Sequence, residues 1–326
     1  MKPGRGRGVR TQIRTIPVPT PFPVGPVNVY LVAADPVTLI DTGPLTEKAW
    51  NAVVAGLKAE GLSLRDVKRI LLTHGHQDHF GLAVRLAEAS GAALLGGRLD
   101  RIRFRGEWNT KRCLDEMARG GFGLADRFGV MATMAALDRF ARPLETWGEL
   151  SGGEVLEGDG WSVMVRSTPG HTPGCLTFEV PEADVVFTGD TVLRDITPNA
   201  IVDEDPERPG EDFRSLSRYF ETLSELREKL AGALLLTGHG EPILDFPTHL
   251  DQVSARYDKR IEKIEAALSR GPMNARELVV ELFPRISTPN LFLAWSEVVG
   301  FLMYLEDQGR VEKIEGQLRD RYRLVV

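Results

Sequence analysis

The chain has 326 residues, of which 42% are apolar and 26% are charged, and its formal net charge is −6. This length suits two domains, and the composition is typical of a globular protein with a hydrophobic core. No apolar run approaches the ~20 residues that a bilayer-spanning helix needs, and the basic N-terminus has no apolar segment of a secretory signal. We therefore expect a cytoplasmic protein without a membrane partner.

Charge and cysteine content narrow the classes of partner and site further. Residues 1–14 carry five bases and no acid, and residues 251–326 carry equal numbers of both, which leaves residues 15–250 strongly acidic. An acidic segment of this kind repels polyanions such as nucleic acids. The two cysteines, Cys113 and Cys175, form no C-x-x-C pair, so a disulfide scaffold and a thiolate metal site are both disfavoured. We expect each thiol to be buried and inert.

The first half of the chain alternates between strand and helix patterns after a short basic arm. Apolar residues between Leu45 and Gly61 follow helical spacing, and Thr46 is a candidate N-cap. A second helix is predicted at about 80–90. Short apolar runs predict strands at 28–34, 37–41, 69–73 and 92–97.

Residues 98–150 interrupt this alternation. They contain few strand patterns but many aromatic and methionine residues, mixed with arginine and glycine. We interpret the segment as a helical insertion. Its apolar side chains either pack the insertion onto the main body or form a cap that shapes a substrate pocket.

The second half repeats the strand pattern and then changes character. Strands are predicted at 161–168, 175–180, 184–190 and 233–240, with a Pro/Asp-rich loop at 195–210 and a helix at about 211–231. From residue 251 three helices (251–269, 275–283 with Asn274 as cap, 290–308) precede a hairpin. That order resembles a winged-helix domain. The predicted organisation is an arm at 1–14, a catalytic domain at 15–250 with its insertion at 98–150, and a winged-helix-like domain at 251–326.

Five of the six histidines fall in short motifs, each directly after or shortly after a predicted strand. The segment Thr73-His74-Gly75-His76-Gln77-Asp78-His79 offers four metal-binding side chains as H-x-H-x-D-H. Imidazole and carboxylate ligands suit zinc and also tolerate iron or manganese. Three further candidate ligands follow other strands: His171 in a Pro/Gly-rich turn, Asp190 in Thr-Gly-Asp, and His239 in Thr-Gly-His-Gly.

This order of motifs strongly resembles the metallo-β-lactamase superfamily over roughly residues 15–250. The resemblance implies an α/β protein with an αββα sandwich and a two-metal hydrolase site. It assigns His74, His76 and His171 to one metal, Asp78, His79 and His239 to the second, and Asp190 to a bridge between them. Asp78, Asp190 and His239 would be the catalytic members of this set. Asp41 matches an early aspartate that orients the histidine loop from outside the ligand set.

The resemblance further implies hydrolysis by a hydroxide that two Zn²⁺ ions share, without a covalent enzyme intermediate. The ligand set looks like the glyoxalase II, lactonase and RNA-processing branches, and the Gly238-His239-Gly240 motif with a C-terminal winged helix resembles the lactamase-beta-2-like group. We therefore expect hydrolysis of a small ester, thioester or lactone. A metal-dependent endoribonuclease or phosphodiesterase is the first alternative, and a non-haem iron dioxygenase of the persulfide type is another.

Nucleic acid is the less favoured partner, since residues 290–308 contain three acids and no lysine or arginine. The basic arm and the arginine cluster at 98, 101, 103 and 105 argue for nucleic acid, unless both are solvated surfaces. We expect the C-terminal domain to pack beside the active site or in a homodimer interface, and a small molecule to be the substrate.

Overall fold

A computed structural model describes Gly8 and residues 12–325. Most of the predicted basic arm lies outside the described residues. Its last two positions belong to a strand that begins at Ile13 and pairs with the next strand along the chain. The predicted boundary after residue 14 therefore falls inside this strand.

Two β-sheets form the centre of the fold. In the six-stranded sheet the spatial order follows the chain, and the last four strands are parallel. In the five-stranded sheet the order is β11-β10-β9-β8-β7, with only β10 and β11 parallel. The first sheet contains β1 (Ile13–Val18), β2 (Val27–Val32), β3 (Thr38–Ile40), β4 (Arg69–Leu72), β5 (Ala93–Gly97) and β6 (Gly148–Leu150). The second contains β7 (Val155–Gly158), β8 (Trp161–Ser167), β9 (Leu176–Val180), β10 (Val185–Gly189) and β11 (Leu234–Thr237).

The helices cover the outer faces of the two sheets. Thr46 caps α1 by accepting a hydrogen bond from the amide of Ala49, as its position in the sequence predicts. The chain order is α1 (Glu47–Ala59), α2 (Gln77–Phe80), α3 (Ala83–Ser90), α4 (Arg101–Phe104), α5 (Thr110–Arg119), α6 (Leu124–Asp138) and α7 (Ser215–Lys229). It continues with α8 (Phe246–Leu268), α9 (Ala275–Leu282) and α10 (Leu291–Asp307).

The hydrophobic core confirms the predicted αββα layering. One buried cluster joins the facing surfaces of the sheets, for example Leu71 of the first and Phe178 of the second. A second cluster joins the outer face of the first sheet to α1 and α3. A third joins the outer face of the second sheet to α7 and the C-terminal helices. Apolar burial on both faces explains why the central strands are continuous apolar runs in the sequence.

The segment 98–150 is largely helical, as predicted, but its C-terminal end is part of a sheet. Its last residues form β6, which pairs with β5 and extends the first sheet. The buried side chains Met117 and Val130 of the inserted helices share one apolar cluster with Trp295 of α10. The insertion therefore packs against the C-terminal helices as well as against the sandwich.

The C-terminal part contains three helices and an antiparallel pair, β12 (Val311–Ile314) and β13 (Arg321–Leu324). Asn274 caps α9 in a reciprocal capping box with Glu277. The first of the three helices begins at Phe246, so the predicted boundary at 250/251 falls inside α8. Within the described part of the chain, no helix is long and apolar enough to cross a membrane.

Candidate metal centre

The seven predicted ligands meet at one edge of the sandwich. His74 follows β4 by two residues, and His76 precedes the single turn α2, which presents Asp78 and His79. The other three ligands come from the second sheet, in the segments that follow β8, β10 and β11. Because strand ends are rigid and the following loops are open, this edge can hold side chains in a fixed arrangement that a substrate can reach.

Three imidazoles converge in the first group. Nε2 of His74 and Nε2 of His171 each lie 3.0 Å from Nδ1 of His76. These are the three nitrogen atoms that can each offer a lone pair to one ion at their centre. His74, His76 and His171 are the set that the sequence resemblance assigns to one metal.

The second group lies beside the first and contains Asp78, His79 and His239. Nε2 of His239 is 3.4 Å from Oδ2 of Asp78. Asp190 stands between the groups, with Oδ1 3.3 Å from Nε2 of His79 and Oδ2 3.7 Å from Nε2 of His171. Its two oxygens thus face members of both groups, which is the position that a bridging carboxylate requires.

The imidazoles of both groups are oriented through their second nitrogen. Nδ1 of His171 lies 3.1 Å from the carbonyl oxygen of Asn199, and Nδ1 of His239 lies 2.8 Å from that of Pro26. Since a carbonyl oxygen can only accept a hydrogen bond, each Nδ1–H is the donor and each Nε2 of the neutral ring is left with a lone pair. The chain itself therefore selects the tautomer that can bind a metal.

Asp41 contacts the start and the end of the histidine loop, which is the position that the family resemblance implies. Its carboxylate accepts hydrogen bonds of 2.8 Å from the amide and the hydroxyl of Thr73 and lies 2.8 Å from Nδ1 of His79. Asp41 is buried and has a φ of 59°, a left-handed conformation that is uncommon for a residue other than glycine. Such a backbone persists where its surroundings fix it, often at a functional site.

Replacing Asp41 with asparagine tests this orienting role. The amide keeps the shape of the side chain, but it cannot accept hydrogen bonds from all three donors. We expect metal affinity and kcat/KM to fall by about 10–100-fold, the usual effect of losing a partner behind a ligand. Chelator competition and steady-state kinetics measure the two effects, and unchanged metal affinity would contradict the assigned role.

Burial controls the protonation of the first group. It lowers the pKa of His74, His76 and His171, and neighbouring imidazoles and the guanidinium of Arg103 contribute in the same direction. These three side chains are therefore neutral at neutral pH, which is the form that binds a divalent metal.

In the second group, neighbouring carboxylates raise the pKa of a histidine instead of leaving it lowered by burial. Burial lowers the pKa of His79, but the carboxylates of Asp190 and Asp41 outweigh it and hold that pKa well above its usual value. Burial raises the pKa of Asp190, yet His79 and His239 together hold it well below the usual range. A site that stabilises a positive charge at this point suits a bound cation.

Three ligand atoms of the centre are buried and have no hydrogen-bond partner among the described residues. They are Nε2 of His79, Nε2 of His239 and Oδ1 of Asp190. A buried polar atom without a partner costs roughly 1–3 kcal/mol, so such atoms need an explanation. His79, His239 and Asp190 belong to groups whose ligand atoms lie within 4.8 Å of one another, and this donor set of imidazoles and carboxylates fits divalent metal ions.

Asp100 is an important residue of the site that the sequence analysis missed. Its buried carboxylate accepts hydrogen bonds from the amide of Gly75 at 2.6 Å, the hydroxyl of Thr172 at 2.7 Å and the amide of Gly174 at 2.8 Å. Gly75 belongs to the H-x-H-x-D-H loop, and the other two donors belong to the turn that carries His171. Asp100 thus ties together the two loops that supply the first group.

A second pair of residues outside the motifs holds the loop of His239. Asn28 donates hydrogen bonds to the carbonyl oxygens of Thr237 and Gly240, and the hydroxyl of Tyr30 donates to Thr237 at 2.7 Å. Both residues lie in β2, for which the sequence predicts an apolar strand and no functional role. A buried asparagine within that strand was the available hint.

The arginine cluster at 98–105 is not one solvated basic surface. Arg103 forms a buried ion pair of 2.7 Å with Asp203, and its guanidinium lies 4.8 Å from the ring of Trp108. Arg98 pairs with Glu207, and Arg105 lies over Trp147. Two of the four arginines are therefore paired with carboxylates, while Arg101 and Arg105 are exposed.

The remaining histidine and the cysteines lie outside the ligand groups, as predicted. His249 is buried in α8, where Nε2 lies 3.0 Å from the carbonyl oxygen of Leu193. Both cysteines are buried free thiols. Burial raises the pKa of the Cys113 thiol to about 12 and that of Cys175 further, so neither is a thiolate at neutral pH.

Comparisons with known proteins agree with this geometry. The profile described as the metallo-beta-lactamase superfamily matches residues 22–239. The probable metallo-hydrolase YqjP of Bacillus subtilis is 30% identical over 299 residues, which cover 89% of this chain and 91% of that protein. The hydroxyacylglutathione hydrolase GloC of Haemophilus influenzae is 29% identical over 180 residues, 54% of this chain and 69% of GloC. A crystal structure of a metallo-beta-lactamase family protein from Thermus thermophilus superimposes with a TM-score of 0.81 at 28% identity, covering 97% of this chain and 99% of that one.

Proposed function

The chain belongs to the metallo-beta-lactamase superfamily and is a metallo-hydrolase, and from that premise we propose that it uses two metal ions, zinc as first choice, to hydrolyse a small ester, thioester or lactone. The proposed ligands of one ion are His74, His76 and His171. Those of the other are Asp78, His79 and His239, with Asp190 as the bridge. Asp78, Asp190 and His239 border the space in which the reaction would occur.

The convergence of unpartnered ligand atoms supports this proposal most directly. Two groups of three ligands lie side by side, and Asp190 faces both. A single-metal centre would need only one of these groups. An ion in the first group alone would leave the ligand atoms of His79 and His239 buried without a hydrogen-bond partner, which costs stability.

The chemistry follows from the donor set. When bound, divalent metals supply a nucleophilic oxygen at neutral pH and polarise the substrate's carbonyl. The chain holds its imidazoles in fixed tautomers through Asp41, Pro26 and Asn199, so that little reorganisation is needed during turnover. A thiolate nucleophile is not required, and the pKa values of both cysteine thiols are too high to provide one.

Charge near the site favours a small substrate over a nucleic acid. Arg103 is bound by Asp203 and Arg98 by Glu207, and the chain as a whole is acidic. The similarity to GloC, whose name gives a glutathione thioester as its substrate, makes a thioester a natural first test. A phosphodiesterase or endoribonuclease would instead require accessible cations along a groove.

Paired metal analysis and substrate profiling test the proposal. The purified chain is assayed for bound zinc, iron and manganese and then screened with thioesters, lactones, phosphodiesters and short RNA. We expect two metal ions per chain and hydrolysis of a thioester or lactone. Preferential cleavage of RNA or phosphodiesters would favour the nuclease hypothesis, and one iron with oxygen consumption on a persulfide would favour the dioxygenase hypothesis.

Removal of metal should abolish this activity reversibly. We expect dialysis against a chelator to reduce thioester hydrolysis to the background rate, because no other group of the site supplies a nucleophile. Adding back Zn²⁺ should restore activity with a maximum near two equivalents, as followed by hydrolysis rate against added metal. Full activity in the chelated protein would refute a metal-dependent mechanism.

The remaining proposals concern the C-terminal domain, the oligomeric state and the cellular location. We propose that the C-terminal part, from α8 onwards, forms a winged-helix-like unit and that the protein is a cytoplasmic homodimer. Leu124 and Phe128 expose most of their apolar side chains on α6, which is a surface available for association. Light scattering coupled to gel filtration measures the mass in solution, and a mass of one chain would refute the dimer.

A further inference from the structure

A cavity of about 340 Å³ lies beside the candidate metal centre, between the loop at 195–200 and two C-terminal helices. Its size is within the range of small-molecule sites. Its lining is mixed: Pro198, Ala200, Phe301 and Tyr257 contribute apolar surface, while charged and polar side chains contribute the larger part. None of the seven proposed metal ligands lines it.

Two arginines, Arg256 and Arg260, are one turn apart on α8 and both line the cavity. Arg260 is already engaged, since Nε lies 3.0 Å from Oε1 of Glu297 and the guanidinium stacks 4.8 Å from the ring of Phe283. Arg256 makes one hydrogen bond of 3.3 Å to the backbone oxygen of Asp195. Within residues 12–325 no carboxylate lies within ion-pair distance of Arg256, so its positive charge is not neutralised locally.

Two carboxylates, of Asp195 and Glu297, also line the cavity. Glu297 is neutralised by Arg260. The carboxylate of Asp195 is directed towards Gly240, with Oδ2 3.5 Å from the position that a Cβ would occupy there. A cavity with a partly apolar lining and one guanidinium that forms no ion pair suits a molecule that has an anionic end and an apolar body.

We propose that this cavity binds a small organic anion, a carboxylate or phosphate monoester whose charged group pairs with Arg256 and whose apolar body lies against Phe301 and Pro198. The same segment holds the metal centre on its other side, because the carbonyl oxygen of Asn199 orients His171. The bound molecule therefore contacts the loop that fixes one of the proposed ligands. The proposal does not depend on which reaction the centre performs.

Calorimetric titration of the full chain tests the site. The probes are sodium octanoate and phenyl phosphate, and octanamide is the uncharged analogue of octanoate. We expect saturable binding of at least one anion at one equivalent and at least tenfold weaker binding of octanamide. Arg256→Gln should weaken anion binding at least tenfold, and Arg256→Lys should retain most of it. Lys259→Gln, which removes a positive charge from an exposed position of the same helix, should leave binding unchanged.

Several results would overturn the proposal. They are the absence of saturation with both anions, equal binding of octanoate and octanamide, and equal binding by the wild type and Arg256→Gln. Anions can also bind metals, so His76→Ala is titrated in parallel. Binding that survives Arg256→Gln but is lost in His76→Ala would place the anion at the metal centre and would equally overturn the proposal. Thermal melting of each variant confirms that it is folded.

Discussion

Replacing His76 with alanine is expected to lower kcat/KM by at least about 100-fold and to reduce the bound metal to one ion or fewer per chain. Loss of a partner behind a ligand alone typically costs 10–100-fold, and removing a ligand itself should cost more. Nδ1 of His76 lies 3.0 Å from the ligand atoms of both His74 and His171, so its removal opens the first group at its centre. The melting temperature of the metal-free protein should change little, because His76 is only partly buried.

The sixth histidine provides the matched control for this variant. His249 is outside both ligand groups, and glutamine can retain a hydrogen bond to the carbonyl of Leu193. We expect His249→Gln to keep full metal content and activity. If His76→Ala turns over substrate as fast as the wild type, the assignment of the first metal group is wrong. Equal losses in both variants would indicate a general structural effect instead.

The sequence predicts the ligand set because metal chemistry restricts residue type and spacing together. His74, His76, Asp78 and His79 lie within six positions that a tight loop must bring together, and the structure gathers them with the three distant ligands. Strand patterns are equally clear, since β4, β10 and β11 are buried on both faces and therefore appear as continuous apolar runs. Asp41 could be predicted only through the family resemblance.

Strands at the edges of the sheets escaped prediction. In β7 the burial alternates between exposed and half-buried positions, and β6 has three residues, so neither gives a strong apolar signal. β1 contains exposed polar residues and a proline, Pro17, as edge strands often do. α8 begins at Phe246, five residues before the predicted start, and Pro247 lies in its first turn, where proline is well tolerated.

Residues that support the ligands could not be identified for a different reason. The partners of Asp100 lie 25 and more than 70 positions away, and the ion pair of Arg103 and Asp203 spans 100 positions. No local pattern marks such a contact, because only the meeting of the two sheets brings the loops together. A buried carboxylate with three donors is visible as a functional element only in three dimensions.

Replacing Asp100 with alanine should therefore affect both stability and the site. Three buried donors, on Gly75, Thr172 and Gly174, would lose their acceptor. Each unsatisfied buried group costs roughly 1–3 kcal/mol, and entering water would recover part of this, so we expect the free energy of unfolding to fall by about 3 kcal/mol. Metal affinity should also fall, because the loops of His76 and His171 would no longer be tied together.

Denaturant unfolding and chelator competition separate these two effects. Asp66→Ala is the matched control, because Asp66 also accepts from a backbone amide and a hydroxyl, both of Ser63, but at an exposed position. We expect it to cost about 1 kcal/mol or less and to leave metal affinity unchanged. If Asp100→Ala is no less stable than Asp66→Ala, the buried carboxylate does not hold the loops. If it is destabilised but binds metal as tightly as the wild type, Asp100 supports the fold while the strand ends alone position the histidines.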